Sequence, residues 1–341
     1  MSIKKIIKTK ILCLVFFIPV FSYSAWQGSG TETDPFLITS RQCLEALRDS
    51  VNNSIVPRPH NWSSGKYFKV MNDITDPVTT VIGVHGWMAY NRVFDGVLDG
   101  NGKTISLAIN NSPPVQFAGL FAINTGVIKN LTVDGFVICN LCTGTGAIAG
   151  RNGELESVNG IRVNSANRRA QIINVTNNSN VTGRIRAGGI AGEMVDWADA
   201  IDCINSGEIS LGGINFSNSG FAIGGIVGGM GWTEPRILGS INTGTIRGVA
   251  TSESVGGIVG YLGLSNIVSN SANYGFVEGN TNVGGIVGMS WQNMPGGFVS
   301  NNFNGGVVVG NTNVGCIIGF QHPDLILENN HYDKQMCGEE D

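Results

Sequence analysis

Three carboxylates, Asp196, Asp199 and Asp202, fall at every third position of the stretch EMVDWADAIDC, with Trp197 among them. Glycoside hydrolysis needs two carboxylates converging across a sugar, about 5 to 9.5 Å apart. A tryptophan beside carboxylates is also how a sugar-binding edge looks, because the ring can stack on a sugar face. No His or Arg is set beside these residues to assist, so the stretch reads as an inserted, solvated loop able to bind and not as a catalytic centre. Trp232 and Trp291 follow later copies of the same repeat. The expectation is therefore an aromatic row of Trp197, Trp232 and Trp291, with Asp196 and Asp199 at its edge. The plainer alternative is that these tryptophans cover corners of the fold.

Other chemistry finds less support. Asp95, Asp99 and Asn101 in FDGVLDGNG offer oxygens to a cation, but the spacing matches neither an EF-hand nor a calcium-binding nonapeptide, and Asp-Gly and Asn-Gly turns account for it. His60, His85, His322 and His331 are scattered along the chain. The Gly-rich phrases lie in a β pattern without the helix or Lys that a phosphate cradle needs. Neither a metal, a cofactor nor an enzymatic activity is expected.

Charge and export signals bound the partners. Of 341 residues only 13% are charged, about half the usual share, and the 21 basic against 25 acidic side chains gather into no basic patch. Nucleic acid is excluded on that ground. Lys4, Lys5, Lys8 and Lys10 precede the apolar run ILCLVFFIPVF and the small residues of FSYSA. This is the pattern of a secretory signal over 1–24, cleaved after Ser24 or Ala25. No later stretch approaches the ~18 to 20 apolar residues of a membrane span.

Cys13 leaves with the leader, and Cys43, Cys139, Cys142, Cys203, Cys316 and Cys337 remain. An even count in an exported chain permits three disulfides, in any of 15 connectivities. Cys139 and Cys142 form a lone C-x2-C without a second pair or nearby histidines, which favours a local disulfide or thiols over zinc.

The elements that carry these residues are repetitive. TGAIAG (145–150), AGGIAG (187–192), IGGIVG (223–228), VGGIVG (255–260), VGGIVG (283–288) and VGCIIG (314–319) are copies of one phrase, with FAGLFA at 117 as a forerunner. Their starts are 28, 42, 36, 32, 28 and 31 residues apart, so a 28-residue unit carries insertions. A second phrase accompanies it: INSGEI at 204, INTGTI at 241, ANYGFV at 272 and FNGGVV at 303, with INTGVI at 123 beside the forerunner. Three short strands in each unit make one coil of a parallel β-solenoid. Stacking coils about 4.8 Å apart pairs each strand with its neighbours and joins their Ile and Val residues into one core. A propeller blade needs ~40 residues or more, which the shortest units cannot hold.

The expected fold is all-β, a right-handed parallel β-helix. The Ile at the fourth hexapeptide position should form an inward ladder, and Asn205, Asn242, Asn273 and Asn304 should stack at one corner in a left-handed backbone. Over 25–65 an N-terminal cap is expected, with PFLIT as a strand and Ser40 capping a helix over 41–51 whose face is Cys43, Leu44, Leu47 and Val51. The solenoid should run over 66–341. Its last coil has no comparable cover, which suggests edge-to-edge association there.

WQGSGTETDPFLITS, then KYFKVMNDI, FDGVLDGNGKTI, the V-G-G-I-V-G and N-x-G phrases, and finally NNHYDKQMCG follow in an order that resembles bacterial exported proteins with GLUG repeats. That resemblance implies a large secreted or cell-surface molecule, adhesin-like, and such repeats also accompany some immunoglobulin-A-cleaving peptidases. The chain is short for that group and shows no translocator barrel, sorting signal or peptidase domain. The functional expectation is adhesion to an extracellular glycan or surface protein, with a carbohydrate-active enzyme or a structural assembly element as alternatives.

Overall fold

The computed structural model describes residues 26–54, 61–84, 92–110, 116–153, 157–158, 161–162, 169–212, 221–250, 254–263, 265–291 and 297–337. The expected leader with Cys13, and the residues His60 and His85, lie outside them. The chain is a β-solenoid of about eight turns, with one α-helix among the described residues. Strand pairing between successive coils is parallel, as in Ile209 with Ile246, Ile246 with Val277 and Val277 with Val308.

Among the described residues each regular coil holds five short strands, where three were expected. In one coil they are Val227–Gly231, Arg236–Leu238, Ile241–Asn242, Ile246–Arg247 and Ser254–Gly256. The hexapeptide is not a single strand: it is a bend joining the last strand of one coil to the first of the next. Its second position is glycine in all six copies and its third in four of them, and within the middle coils the space is tight. A Cβ on Gly224 would strike the carbonyl of Val227, and one on Gly225 would strike the carbonyl of Gly257 and the Asn242 amide.

The fourth-position isoleucines, Ile148, Ile190, Ile226, Ile258 and Ile286, are fully buried at this bend, and Ile317 of the last copy is partly buried. Burial of each contributes about 1.5 to 3 kcal/mol. Their backbones continue the ladder through the corner: Ile190 N donates to Ile226 O at 2.9 Å, Ile226 N to Ile258 O at 2.9 Å and Ile258 N to Ile286 O at 3.0 Å. In the forerunner, Phe117 pairs with Gly144 and Phe121 with Ala149, so its bend is one residue shorter.

The asparagine column forms, but as a buried amide ladder in ordinary backbone. Asn177, Asn205, Asn242, Asn273 and Asn304 are fully buried, and each Nδ2 donates to the next Oδ1 at 2.7 to 2.8 Å. Left-handed backbone occurs elsewhere, at Asn130, Asn174, Asp202, Asn270, Asn301 and Asn329. Asp202, Asn270, Asn301 and Asn329 mark the turn between two strands of a coil, and Asn130 and Asn174 hold the same place within the unbroken strands Val127–Ile138 and Ala170–Asn177; a short polar side chain tolerates that conformation. INTGVI at 123 belongs to a different corner: Asn124 bonds Asn152, whose Nδ2 reaches Asp199 O.

At the N-terminal end Phe36–Ile38 is a strand and Arg41–Asn52 the helix, with Cys43, Leu44, Leu47 and Val51 buried against the first coils. Ser40 occupies the N-cap position in extended backbone but makes no capping bond. Val97–Asn110 continues through the Asp-Gly and Asn-Gly signals as one strand, whose register shifts between Asp99 and Lys103.

Two disulfides form, Cys139–Cys142 and Cys316–Cys337, each with Cα atoms 5.5 Å apart. The third that the count permitted does not. Cys43 is buried in the helix and Cys203 within the solenoid, where its Sγ lies 3.4 Å from Ile201 O. Burial pushes the Cys203 thiol up to about 12. Cys316 stands where four earlier copies carry a bend glycine, and its bridge ties the last bend to the 3-10 turn Lys334–Cys337.

Candidate functional site

The stretch EMVDWADAIDC is a regular part of its coil, not an insertion. Ala191–Val195 and Ala198–Ile201 are strands joined by a two-residue turn at Asp196 and Trp197, both in left-handed backbone. The extra length of the 42-residue unit falls instead at 153–169, around the antiparallel pair Ser157–Val158 and Ile161–Arg162. That of the 36-residue unit falls between Leu211 and Ala222.

The three carboxylates therefore do not converge. Asp196 accepts a bond from Thr233 N at 3.0 Å and so fixes the turn of the following coil. Asp202 sits at the next corner with φ of 51°. Asp199 pairs in register with Gln171 and Arg236 of the flanking coils, and it is fully buried. Arg169 Nε lies 2.8 Å from both its oxygens, Arg236 Nε and Nη2 lie 2.9 and 3.0 Å away, and Gln171 donates at 3.1 Å. Burial alone would raise its pKa, but the bonds from Arg236, Arg169 and Gln171 hold the carboxyl below its ordinary range. Asp199 is a clamp across three coils, and a ligand cannot reach it.

The tryptophans do not form one row. Met194, Met230, Leu262 and Ser290 share a register. Trp197, Trp232 and Trp291 stand three, two and one residues after it, because the turns that follow differ in length. Trp197 is half-buried, with the Arg169 guanidinium 5.5 Å from its ring. That is a corner-covering role. Trp232 is 43% exposed and Trp291 59%.

Trp291 belongs to a cleft that the sequence does not announce. Arg151, Glu193, Gly229, Tyr261, Met289 and Phe320 share one register on the strands after the bend. Arg186, Ala222 and Ser254 share another just before it, which Asn282 and Asn313 continue. The two rows meet beside the bend. Glu193 is paired with Arg151 at 2.7 Å and with Arg186, and the Arg186 guanidinium lies 6.0 Å from the Tyr261 ring. Burial holds Arg186 below the usual guanidinium range; Tyr261 opposes this and Arg151 adds to it.

Toward the last coils the rows lose their charge and open into a cavity of about 350 Å³ lined by Thr281, Asn282, Met289, Ser290, Trp291, Asn313 and Phe320. Tyr261 packs on Trp291 with ring centroids 6.2 Å apart, at one end of the cleft. Asn313 Nδ2 donates to Asn282 Oδ1 at 2.7 Å, and Asn282 Nδ2 lies 3.2 Å from Met289 Sδ. This size falls in the range of small-molecule sites, which are mostly apolar with a few placed polar groups. A signal for it exists in the duplicated run GNTNVG at 279–284 and 310–315, which brings Asn282 and Asn313 into register.

Among the described residues no group of three or more His, Cys, Asp or Glu is arranged to hold a metal ion, and no helix is long and apolar enough to cross a membrane. Neither a family model nor a curated protein matches the chain. Among solved structures it is similar to a crystal structure described as a "putative immunoglobulin A1 protease" from Bacteroides ovatus. The TM-score is 0.53 at 19% identity, over 89% of this chain and 77% of that one. At this identity the likeness is one of fold, the parallel β-solenoid.

Proposed function

We propose that the chain is an exported repeat protein of the GLUG-repeat kind that binds a glycan outside the cell, without cleaving it. The observation that carries this reading is the cleft at Trp291: a largely exposed indole beside Tyr261 and Phe320, with two in-register amides. Aromatic faces with amides at the rim suit a sugar, which presents an apolar face and a polar edge. A binding role is preferred to catalysis because the candidate acid Asp199 is fully engaged by Arg169 and Arg236. The low charge and export-type leader fit an extracellular setting.

The test is incubation of the purified protein with a panel of polysaccharides, following both retention and the appearance of new reducing or unsaturated ends. Retention without cleavage, abolished by Trp291→Ala but kept by Trp232→Ala, is expected. New chain ends would make the protein an enzyme. No retention on any member would reject the glycan reading and turn attention to protein ligands.

A further inference from the structure

The cleft can be assigned a ligand class more specific than a sugar. We propose that it takes an N-acetylated hexosamine residue, with the acetamido group seated against Met289 and Phe320. The inference rests on the glycan reading above and narrows it.

Among the described residues the lining contains no charged side chain. A uronate carboxylate or a free hexosamine ammonium would enter without a counter-charge, and burying an unpaired charge is strongly unfavourable. A neutral group is selected on that ground. An acetamido group presents one acceptor, one donor and one methyl, and the cleft offers a counterpart to each. Ser290 is buried, at 3% exposure, and lines the cavity. Its Oγ accepts from His322 N at 2.7 Å, while its own hydroxyl hydrogen has no acceptor among the described residues. That hydrogen is available for an acetamido carbonyl. Asn313 donates one Nδ2 hydrogen to Asn282 and its Oδ1 accepts from no described residue, so it can receive the acetamido N–H. Met289 and Phe320 supply apolar surface for the methyl, and Trp291 stands at the rim to stack on the ring. An unsubstituted hexose would leave the Ser290 donor facing a hydroxyl and the apolar floor without a methyl.

Calorimetric titration tests this with four probes: the β-linked dimers of N-acetylglucosamine and of N-acetylgalactosamine, the deacetylated glucosamine dimer, and a uronate dimer. An acetylated dimer should bind at least roughly tenfold more tightly than the deacetylated and uronate probes, since both a hydrogen-bond pair and a buried methyl are lost. Ser290→Ala and Asn313→Leu should each weaken it roughly fivefold to tenfold. Asn313 is exposed, so its variant keeps the test sharp if Ser290→Ala disturbs folding. Equal binding of acetylated and deacetylated dimers, or unchanged affinity in both variants, overturns the assignment. If panel glycans are retained but the acetylated dimers are not favoured, only this inference falls. If no glycan is retained, the reading beneath it falls as well.

Discussion

Asn205 Nδ2 donates to Asn242 Oδ1 across 2.7 Å, although the two residues are 37 apart in the chain. The same Asn205 amide also donates to Gly207 O, closing its own turn. One side chain thus satisfies a corner within its coil and passes a hydrogen bond to the next. All five members of the column are shielded from water, so the ladder must be complete to be stable.

Replacing Asn242 should show that dependence. Asn242 donates to Gly244 O and Asn273 Oδ1 and accepts from Asn205 Nδ2 and Gly244 N. Asn242→Leu strands buried groups on both flanking coils and is expected to cost about 2 to 4 kcal/mol in urea unfolding. A variant as stable as the parent would show that the ladder contributes little.

The Asp199 clamp predicts a pH dependence. Its folded-state pKa lies below the unfolded value of about 3.9. The stabilisation is therefore fully present above about pH 4 and is lost as pH falls through the folded pKa. Asp199→Asn should lose about 3 kcal/mol at neutral pH, because Arg169 and Arg236 are left facing a neutral group. Its stability should also flatten below pH 4 relative to the parent. Parallel curves of stability against pH for the two proteins would contradict the clamp.

The bend sets a contrast between two glycines only six residues apart. Gly225→Ala drives a methyl into Gly257 O and the Asn242 amide, whereas a Cβ at Gly231 meets nothing within 4 Å. The first should destabilise by about 3 kcal/mol and the second by no more than about 0.5 kcal/mol. Thermal melts of the pair decide the point, and equal shifts would mean that the bend relaxes freely.

Thiol chemistry checks the cysteine arrangement. Cys203 is fully buried with its thiol pushed up to about 12, so a maleimide should leave it untouched in the folded protein and modify it on unfolding. Mass analysis of the denatured, unreduced chain from Trp26 onward should find two modified cysteines, Cys43 and Cys203, and two disulfides. A third disulfide, or rapid native labelling of Cys203, would contradict the fold at those positions.

Much of the solenoid was legible because parallel stacking writes the same residue type at the same place in every coil. Ile148, Ile190, Ile226, Ile258 and Ile286 recur for that reason, as do Asn205, Asn242, Asn273 and Asn304. The pattern failed where the same letters serve another corner, as at Asn124, or where different letters serve the same one. Asn177 joins the ladder through Asn-Asn-Ser, its Oδ1 accepting from Ser179 N where later coils use glycine.

The sequence by itself determined the coil, its period, its isoleucine column and the helix that covers the first turns, because these depend on spacing along the chain. Which side chains meet between coils was left to the tertiary structure. Turn lengths of a few residues decide the register of Trp197, Trp232 and Trp291, and they separate residues that a linear alignment places together. Asp199 looked available because its partners Arg169 and Arg236 stand 30 and 37 residues away. Ser290 and Phe320 gave no sign of a site for the complementary reason: two successive coils must stack before they share a cleft.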